Sequence, residues 1–244
     1  MPDKAHMLEF IYSLMELSGA RAVLEIGCGK GYDLAQIGHR VGDAARLVGI
    51  DNRETALVDA RLAVGKDSRF TLMQADVAKG LPFPDETFDL VYSKNLLECI
   101  VDKDAHLREV YRVLKPGGQV VYAHFDWDSQ LFDGTDKALV RKIVQTFNDW
   151  QQAWMADCDA WMGRRLWRTF QRSGLFTGAV HPFVITDTHY AAEMMQNFQA
   201  LVRRGMISQQ EYETFMTEQA DFAARDEFFS SITMYVYVGR KGSA

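Results

Sequence analysis

VLEIGCGKG, residues 23–31, followed further along by an acid at Asp51, is the stretch whose reading decides the fold. Val23, Leu24 and Ile26 read as a buried parallel strand, and Gly27, Gly29 and Gly31 as a turn with no side chains in the way. A backbone that bare lets a ligand lie directly against the main chain. Asp51 closes a second apolar run, LVGIDN (47–52), where a carboxylate can accept hydrogen bonds from a ribose. The pair predicts a site for a nucleoside-containing cofactor.

The glycine spacing narrows the choice. Dinucleotide enzymes use G-x-G-x-x-G, which sets a helix N-terminus against a pyrophosphate. Here the spacing is G-x-G-x-G, with Glu25 two residues before the first glycine. An acid there repels a pyrophosphate but can face a cationic amino-acid group. S-adenosylmethionine (SAM) carries such a group and no phosphate.

Three later segments follow in order. FTLMQADV (70–77) predicts a third strand ending in Asp76, a partner for an adenine amino group. LPFPDETFDLVYS (81–93) is a Pro-punctuated loop leading into a fourth strand, roughly 88–92, and LREVYRVLKPGGQVVYAHF (107–125) is an amphipathic helix, a Lys-Pro-Gly-Gly turn and a fifth strand. As an ordered set these segments resemble the class I SAM-dependent methyltransferases, especially the ubiquinone/menaquinone-type branch with its many natural-product enzymes. The resemblance covers about residues 20–125. It implies that Glu25, Gly27, Gly29 and Gly31 line the methionine half of SAM and that Asp51 holds the ribose hydroxyls, with Asn52 beside it. It also implies adenine at Asp76 and the Val77 backbone, the sulfonium near Ser93 to Asn95, and Tyr12 and Met15 closing over the cofactor. For Tyr12 and Met15 plain packing is an equal reading, and Asp51 and Asp76 have ordinary strand-end acids as their alternative.

Composition sets bounds. A chain of 244 residues with 48% apolar content suits one α/β domain with a full core. A formal net charge of −6 with no basic run makes sequence-independent nucleic-acid binding a poor fit. No apolar stretch is long enough to span a bilayer, and MPDKAHMLEF lacks the basic-then-apolar form of a signal peptide, so the expected location is cytoplasmic, with no membrane partner. Cys28, Cys99 and Cys158 form neither a disulfide framework nor a metal-ligand spacing, and no metal site is expected. Cys28 reads as a small filler inside the glycine loop.

Alternating strands and helices predict a doubly wound, mostly parallel seven-stranded sheet, the Rossmann-like methyltransferase fold, in a single domain over 1–244. A first helix is expected over 4–18 and others over about 31–40 and 53–65. Gly27, Asp51, Asp76, Ser93 and His124 all fall at expected C-terminal strand ends, where such sheets bind ligands. Beyond residue 125 the chain carries more than a minimal version of this fold needs. Helical insertions at about 126–174 and 187–230 are expected to form a substrate lid around strands at 175–185 and 232–238. In the first, Val140, Val144, Phe147, Gln151 and Trp154 have helical spacing and a second helix is expected over 157–172. In the second, Tyr190, Met194, Phe198 and Leu201 mark one helix and Tyr212, Phe215, Met216 and Phe222 another.

All five tryptophans lie between 127 and 167, which suits a planar acceptor that stacks on aromatic rings. Trp150 and Trp154 are expected to pack their helix, and Trp127 is the better ligand candidate. Methyl transfer needs alignment and, for a weakly acidic acceptor, a base. The base candidates are His124 and Asp126, then Asp128, His181 and His189. A strand-end His124 that only orients something is the competing reading. Trp127, Arg164 and His181 are the expected acceptor contacts, with Arg165 beside them and a solvated helix face as the alternative for both arginines. SKNLLE (93–98) stands where amino-group methyltransferases of nucleic acids and glutamine carry N/D-P-P-Y. The expected partner is a small molecule. N-methylation of a planar nitrogen heterocycle in secondary metabolism leads, with O-methylation of a phenol or quinol second, and aromatic-rich helices permit a homodimer. The rival classes are a nicotinamide-dependent oxidoreductase and a non-catalytic SAM-binding protein.

Overall fold

The structure, a computed structural model, describes residues 2–151, 155, 160–189 and 196–242. Seven strands form one sheet in the order β3-β2-β1-β4-β5-β7-β6. They are β1 (Ala22–Ile26), β2 (Arg46–Asp51), β3 (Phe70–Gln74), β4 (Phe88–Lys94), β5 (Leu114–Phe132), β6 (Phe176–Asp187) and β7 (Ser230–Lys241). All neighbours pair in parallel except β7, which runs antiparallel to both β5 and β6. The doubly wound, mostly parallel sheet expected from the sequence is present. Strand order reverses between β1 and β4, so a crevice opens beyond their C-terminal ends, where Ile26 lies level with Ser93.

Two apolar layers cover the sheet. On one face α4 (Lys103–Val113) and α6 (Met162–Ser173) bury Leu107, Val110, Leu166 and Phe170 against Leu24, Val91 and Tyr122. On the other, α1 (Pro2–Ser13) and α2 (Tyr32–Gly38) bury Met7, Ile11, Leu34 and Ile37 against Val23 and Tyr92. The helix α3 (Glu54–Val64) packs beside α2, β2 and β3. Parallel strands covered on both faces read as continuous apolar runs, and every residue of β1 is buried.

Several expected boundaries move. The first helix stops at Ser13 rather than 18, although Met15 and Leu17 beyond it still bury in the core. β3 ends at Gln74, and Asp76 instead caps a short turn, its Oδ1 accepting the Ala78 N–H at 3.1 Å. Lys115 to Gly118 bulge out within β5, since the pairing jumps from Phe88–Leu114 to Leu90–Gln119. β5 also continues past His124 to Phe132 because the outer half of β7 pairs with it.

The insertions are helical as expected, with one correction. The helix over 162–173 is not lid: its Met162, Leu166 and Phe170 complete the sheet core. The added layer consists of α5 (Lys137–Asp149), α7 (Gln199–Arg203) and α8 (Gln209–Ala224). These helices share a third apolar cluster with Val140, Ile143, Phe198, Leu201 and Phe215 at its centre. Trp150 packs against Phe147 and under Arg204, as the packing reading has it. Trp154, Cys158, Tyr190 and Met194 lie outside the described residues.

Candidate cofactor and transfer site

The glycine loop is fastened to the end of β2. Gly27 N–H and Cys28 N–H both donate to the Ile50 carbonyl, at 2.8 and 2.9 Å. Gly29 N–H donates to Asp51 Oδ2 at 3.0 Å, and Asp51 Oδ1 accepts Arg53 N–H at 2.9 Å. One carboxylate thus sets the shape of two loops. Gly29 has φ +50°, and nothing lies within 4 Å of where its Cβ would stand, so its backbone faces open space. Gly31 serves packing instead, because a Cβ there would meet that of Ala60 at 2.9 Å.

A cleft of about 580 Å³ lies beyond these strand ends. Gly27, Gly29, Asp51, Asn52, Asp76, Val77 and Asn95 line it, together with Arg53, Lys94, Leu96, Cys99 and Ile100. Asn95, in a left-handed conformation at φ 54°, accepts Phe125 N–H on its Oδ1 at 3.1 Å and so ties the β4 end to β5.

Behind the loop sits a buried polar cluster. Asp33, on the first turn of α2, accepts from Tyr12 Oη at 2.8 Å, Tyr92 Oη at 3.0 Å and Lys94 Nζ at 2.5 Å. Burial first, and the Asp33 charge second, raise the Tyr12, Tyr92 and Glu25 pKa values above their ordinary ones. Glu25 accepts the Leu34 N–H, while its Oε2 is buried with no hydrogen-bond partner among the described residues.

Placement corrects part of the expected site. Tyr12 is spent on Asp33 and buried with Met15 in the α1 layer, outside the cleft. Ser93 Oγ donates to the Ile26 carbonyl at 2.8 Å and is enclosed between β1 and β4. His124 does not end its strand: it pairs with Tyr235 inside the β5–β7 ladder and is 1% exposed. Its Nδ1 bonds the Phe125 carbonyl at 2.8 Å, and burial lowers its pKa to about 4. Asp126, also buried, grips Arg164 through the backbone N–H at 3.0 Å, Nε at 2.6 Å and Nη2 at 2.7 Å. That pair fastens the start of α6 to β5, and Asp128 adds a second contact to Arg164 at 3.1 Å. His181 stands on the edge strand β6, level with Val236, two strands from β5, and His189 is exposed past the end of β6 beside Asp187.

Sequence reading passed over Asp33, Tyr92 and Glu98, and it had Lys94 only within the stretch from Ser93 to Asn95, without its contact to Asp33. Glu98, 3% exposed in a short turn after β4, has its Oε2 3.6 Å from His124 Nε2, and both atoms lack hydrogen-bond partners among the described residues. Burial raises its pKa to about 7, while a hydrogen bond with the Trp127 side chain pulls the other way. Trp127 is thereby held against Glu98 and Phe125. Lys94 and Glu98 sit in SKNLLE, a stretch informative for more than the motif it lacks.

Among the described residues no group of acids, histidines and cysteines is placed to hold a metal ion, and no helix is long and apolar enough to cross a membrane. A family model described as a methyltransferase domain matches residues 17–220. The chain is 26% identical over 224 residues to an uncharacterized 37.1 kDa protein in transposon TN4556 of Streptomyces fradiae, a match covering 90% of this chain and 62% of that one. It is 38% identical over 117 residues to the ubiquinone/menaquinone biosynthesis C-methyltransferase UbiE of Shewanella oneidensis, covering 46% of each. The chain therefore spans only about half to two thirds of the curated relatives it matches. Among solved structures, phosphoethanolamine N-methyltransferase 2 of Haemonchus contortus in complex with SAM aligns with a TM-score of 0.59 at 19% identity, over 98% of this chain and 53% of the other. At that identity the likeness concerns the fold.

Proposed function

The chain belongs to the methyltransferase-domain family, and from that premise we propose that it transfers the methyl group of SAM to a small, planar aromatic molecule in the cytoplasm. The observation that carries this reading is the cleft at the β1–β4 switch point. It joins the bare Gly29 backbone to the Asp51 carboxylate, with the unpartnered Glu25 Oε2 buried behind.

These residues fit the cofactor. Asp51 would hold the ribose hydroxyls, with Asn52 beside it, and Asp76 and the Val77 backbone would take the adenine. Glu25 would face the cationic amino group from behind the loop, its enclosed Oε2 having no hydrogen-bond partner among the described residues. When bound, SAM supplies a methyl carbon whose bond to sulfur breaks as an acceptor lone pair forms the new bond. The chain's part is alignment and exclusion of water. Asp51 keeps the glycine loop in shape, and Asn95 keeps the β4 end against β5.

A ring nitrogen is the favoured acceptor atom. The two expected bases are both enclosed, His124 within the sheet and Asp126 by Arg164. A ring nitrogen with a free lone pair needs no base, whereas a phenol or quinol must shed a proton. O-methylation is therefore second.

The deciding experiment combines purified protein, methyl-labelled SAM and a small-molecule extract of the source cells. The expected result is a labelled small molecule whose fragmentation places the methyl on nitrogen. Measurable SAM binding with no labelled product would replace the reading with a binding role. Thermal stabilisation by NADH but not by S-adenosylhomocysteine would replace it with an oxidoreductase.

A further inference from the structure

Glu98 and His124 leave two enclosed polar atoms facing each other. Glu98 Oε2 stands 3.6 Å from His124 Nε2, and neither atom has a hydrogen-bond partner among the described residues. Both side chains are buried, so no ligand reaches either atom. The gap is longer than a hydrogen bond, and closing it to that length takes a shift of about 1 Å. It is too short for a bridging water, which would hold the two atoms about 4.5 Å apart or more. What fits between them is a proton.

The histidine tautomer sets where that proton is needed. His124 Nδ1 lies 2.8 Å from the Phe125 carbonyl. A carbonyl oxygen only accepts, so Nδ1 carries the hydrogen, and the neutral ring turns the lone pair of Nε2 towards Glu98. An ionised Glu98 sets a second acceptor against that lone pair, with no donor between them. Burial raises the Glu98 carboxyl to about 7 and lowers His124 to about 4. Below neutrality the proton therefore rests on Glu98, and His124 stays neutral.

The other side of the carboxyl holds Trp127. The Trp127 side chain hydrogen-bonds Glu98, and with Oε2 unpartnered that bond falls on Oε1. Glu98 belongs to the turn at 97–99, and its neighbours Leu96, Cys99 and Ile100 line the cofactor cleft. Asn95, also on that wall, accepts Phe125 N–H. One wall of the cleft is thus tied to β5 at Phe125 through Asn95, and at His124 and Trp127 through Glu98.

We propose that Glu98 is a positioning residue of the cofactor cleft: its protonated carboxyl donates from Oε2 to His124 Nε2 while accepting from Trp127, and so holds the 97–99 turn against β5. Loss of the proton to solvent leaves two acceptors face to face and loosens that wall. The proposal rests on the reading of the cleft as a cofactor site. The other charged or titratable groups near the pair are Asp126 on β5 and Lys103 at the start of α4, which act on His124, and Cys99 beside Glu98. Arg164 holds Asp126, and Lys103 Nζ donates to the Ile100 carbonyl at 2.7 Å.

The test uses the full chain with labelled imidazole and indole nitrogens. Below about pH 7, His124 Nε2 should resonate as an unprotonated, accepting nitrogen and Nδ1 as a protonated one. As the pH rises, the Nε2 and Trp127 indole signals should move together with one midpoint. S-adenosylhomocysteine affinity in calorimetry should fall about fivefold from about pH 6 to about pH 8, within the worth of one hydrogen bond. Glutamine supplies a donor and an acceptor at any pH, so Glu98→Gln should keep the parent's affinity in acid and hold it at the higher pH. A protonated Nε2 in acid, separate midpoints for the two signals, or an affinity ratio equal in parent and variant would each overturn the proposal. Absence of S-adenosylhomocysteine binding at either pH would overturn the cofactor reading and the positioning role with it, whereas binding with an equal ratio overturns the positioning role alone. The parent's own titration decides where the variant folds poorly.

Discussion

Asp51 accepts two backbone N–H groups at once, from Gly29 and Arg53, while lining the cleft. Asp51→Ala therefore loosens both loops and removes the ribose acceptor. SAM affinity should fall by roughly ten- to a hundredfold in calorimetry, the scale of one to two charge-assisted hydrogen bonds; unchanged affinity would sink the cofactor assignment. Glu98 supports a prediction in pH. Its carboxyl is held at about 7 against an ordinary 4.5, so the folded chain binds that proton more tightly than the unfolded chain does. The advantage is complete below about 4.5 and is lost as pH rises through about 7. Glutamine cannot ionise, so Glu98→Gln should match the parent in acid and exceed its stability above neutrality by up to about 3 kcal/mol. His124, 3.6 Å from Glu98, pulls the other way, since its lowered pKa removes stability as pH falls from 6.5 towards about 4. Asp126 and Lys103 also act on His124, and Trp127 bonds Glu98; these neighbours remain in both proteins, so the comparison isolates Glu98. Denaturant unfolding across that range checks it, and a difference flat in pH would refute it. The glycines and Asp51 were legible in sequence because the backbone path itself demands them. Asp33, Tyr92 and the Lys94–Asp33 ion pair were not, because their meaning lies in contacts between α1, α2 and β4 that no local spacing encodes.

At the scale of elements, the strands came through best, since runs such as AVLEI are buried along their whole length and have no second reading. The errors gather where one element borrows its length from another. β5 reaches Phe132 only because β7 pairs with it, and so His124, expected at a strand end, lies inside a ladder. The helix at 162–173 has a strongly one-sided apolar stripe, but sequence cannot say whether that stripe meets a lid or a sheet. It meets the sheet. Gly163 lets it do so, because a Cβ there would stand 2.7 Å from Asp126 N, and the Asp126 carboxylate accepts Arg164 N–H within the first turn, where helix amides lack partners. Asp126→Asn should therefore destabilise the fold by about 2 kcal/mol, discounted for the partly exposed arginine, and leave S-adenosylhomocysteine affinity intact. A variant with unaltered melting temperature but lost turnover would restore Asp126 to the catalytic role that the sequence suggests.

At the scale of the whole molecule, the two sheet layers and the α5–α7–α8 cluster are separate apolar cores, joined where Phe132 at the tip of β5 packs on Phe198 and Phe215. The cofactor cleft is built from the sheet's strand ends and the turns that follow them, and no residue of the third core lines it. The cofactor half can thus stay fixed while the added helices vary, which is how one scaffold serves many acceptors. Separate cores also open separately, the smaller one at lower free energy. Phe215 is fully buried at the centre of the third core, so Phe215→Ala should cost that core about 3–5 kcal/mol. Hydrogen exchange should then quicken across 137–149 and 209–224 while the strands keep their protection and S-adenosylhomocysteine binds as before. S-adenosylhomocysteine itself should slow exchange at the glycine loop and the turns after β2, β3 and β4, and not in α8. If Phe215→Ala weakens cofactor binding in step with the loosening of α8, the two cores form one cooperative unit, and acceptor and cofactor binding are coupled through Phe132.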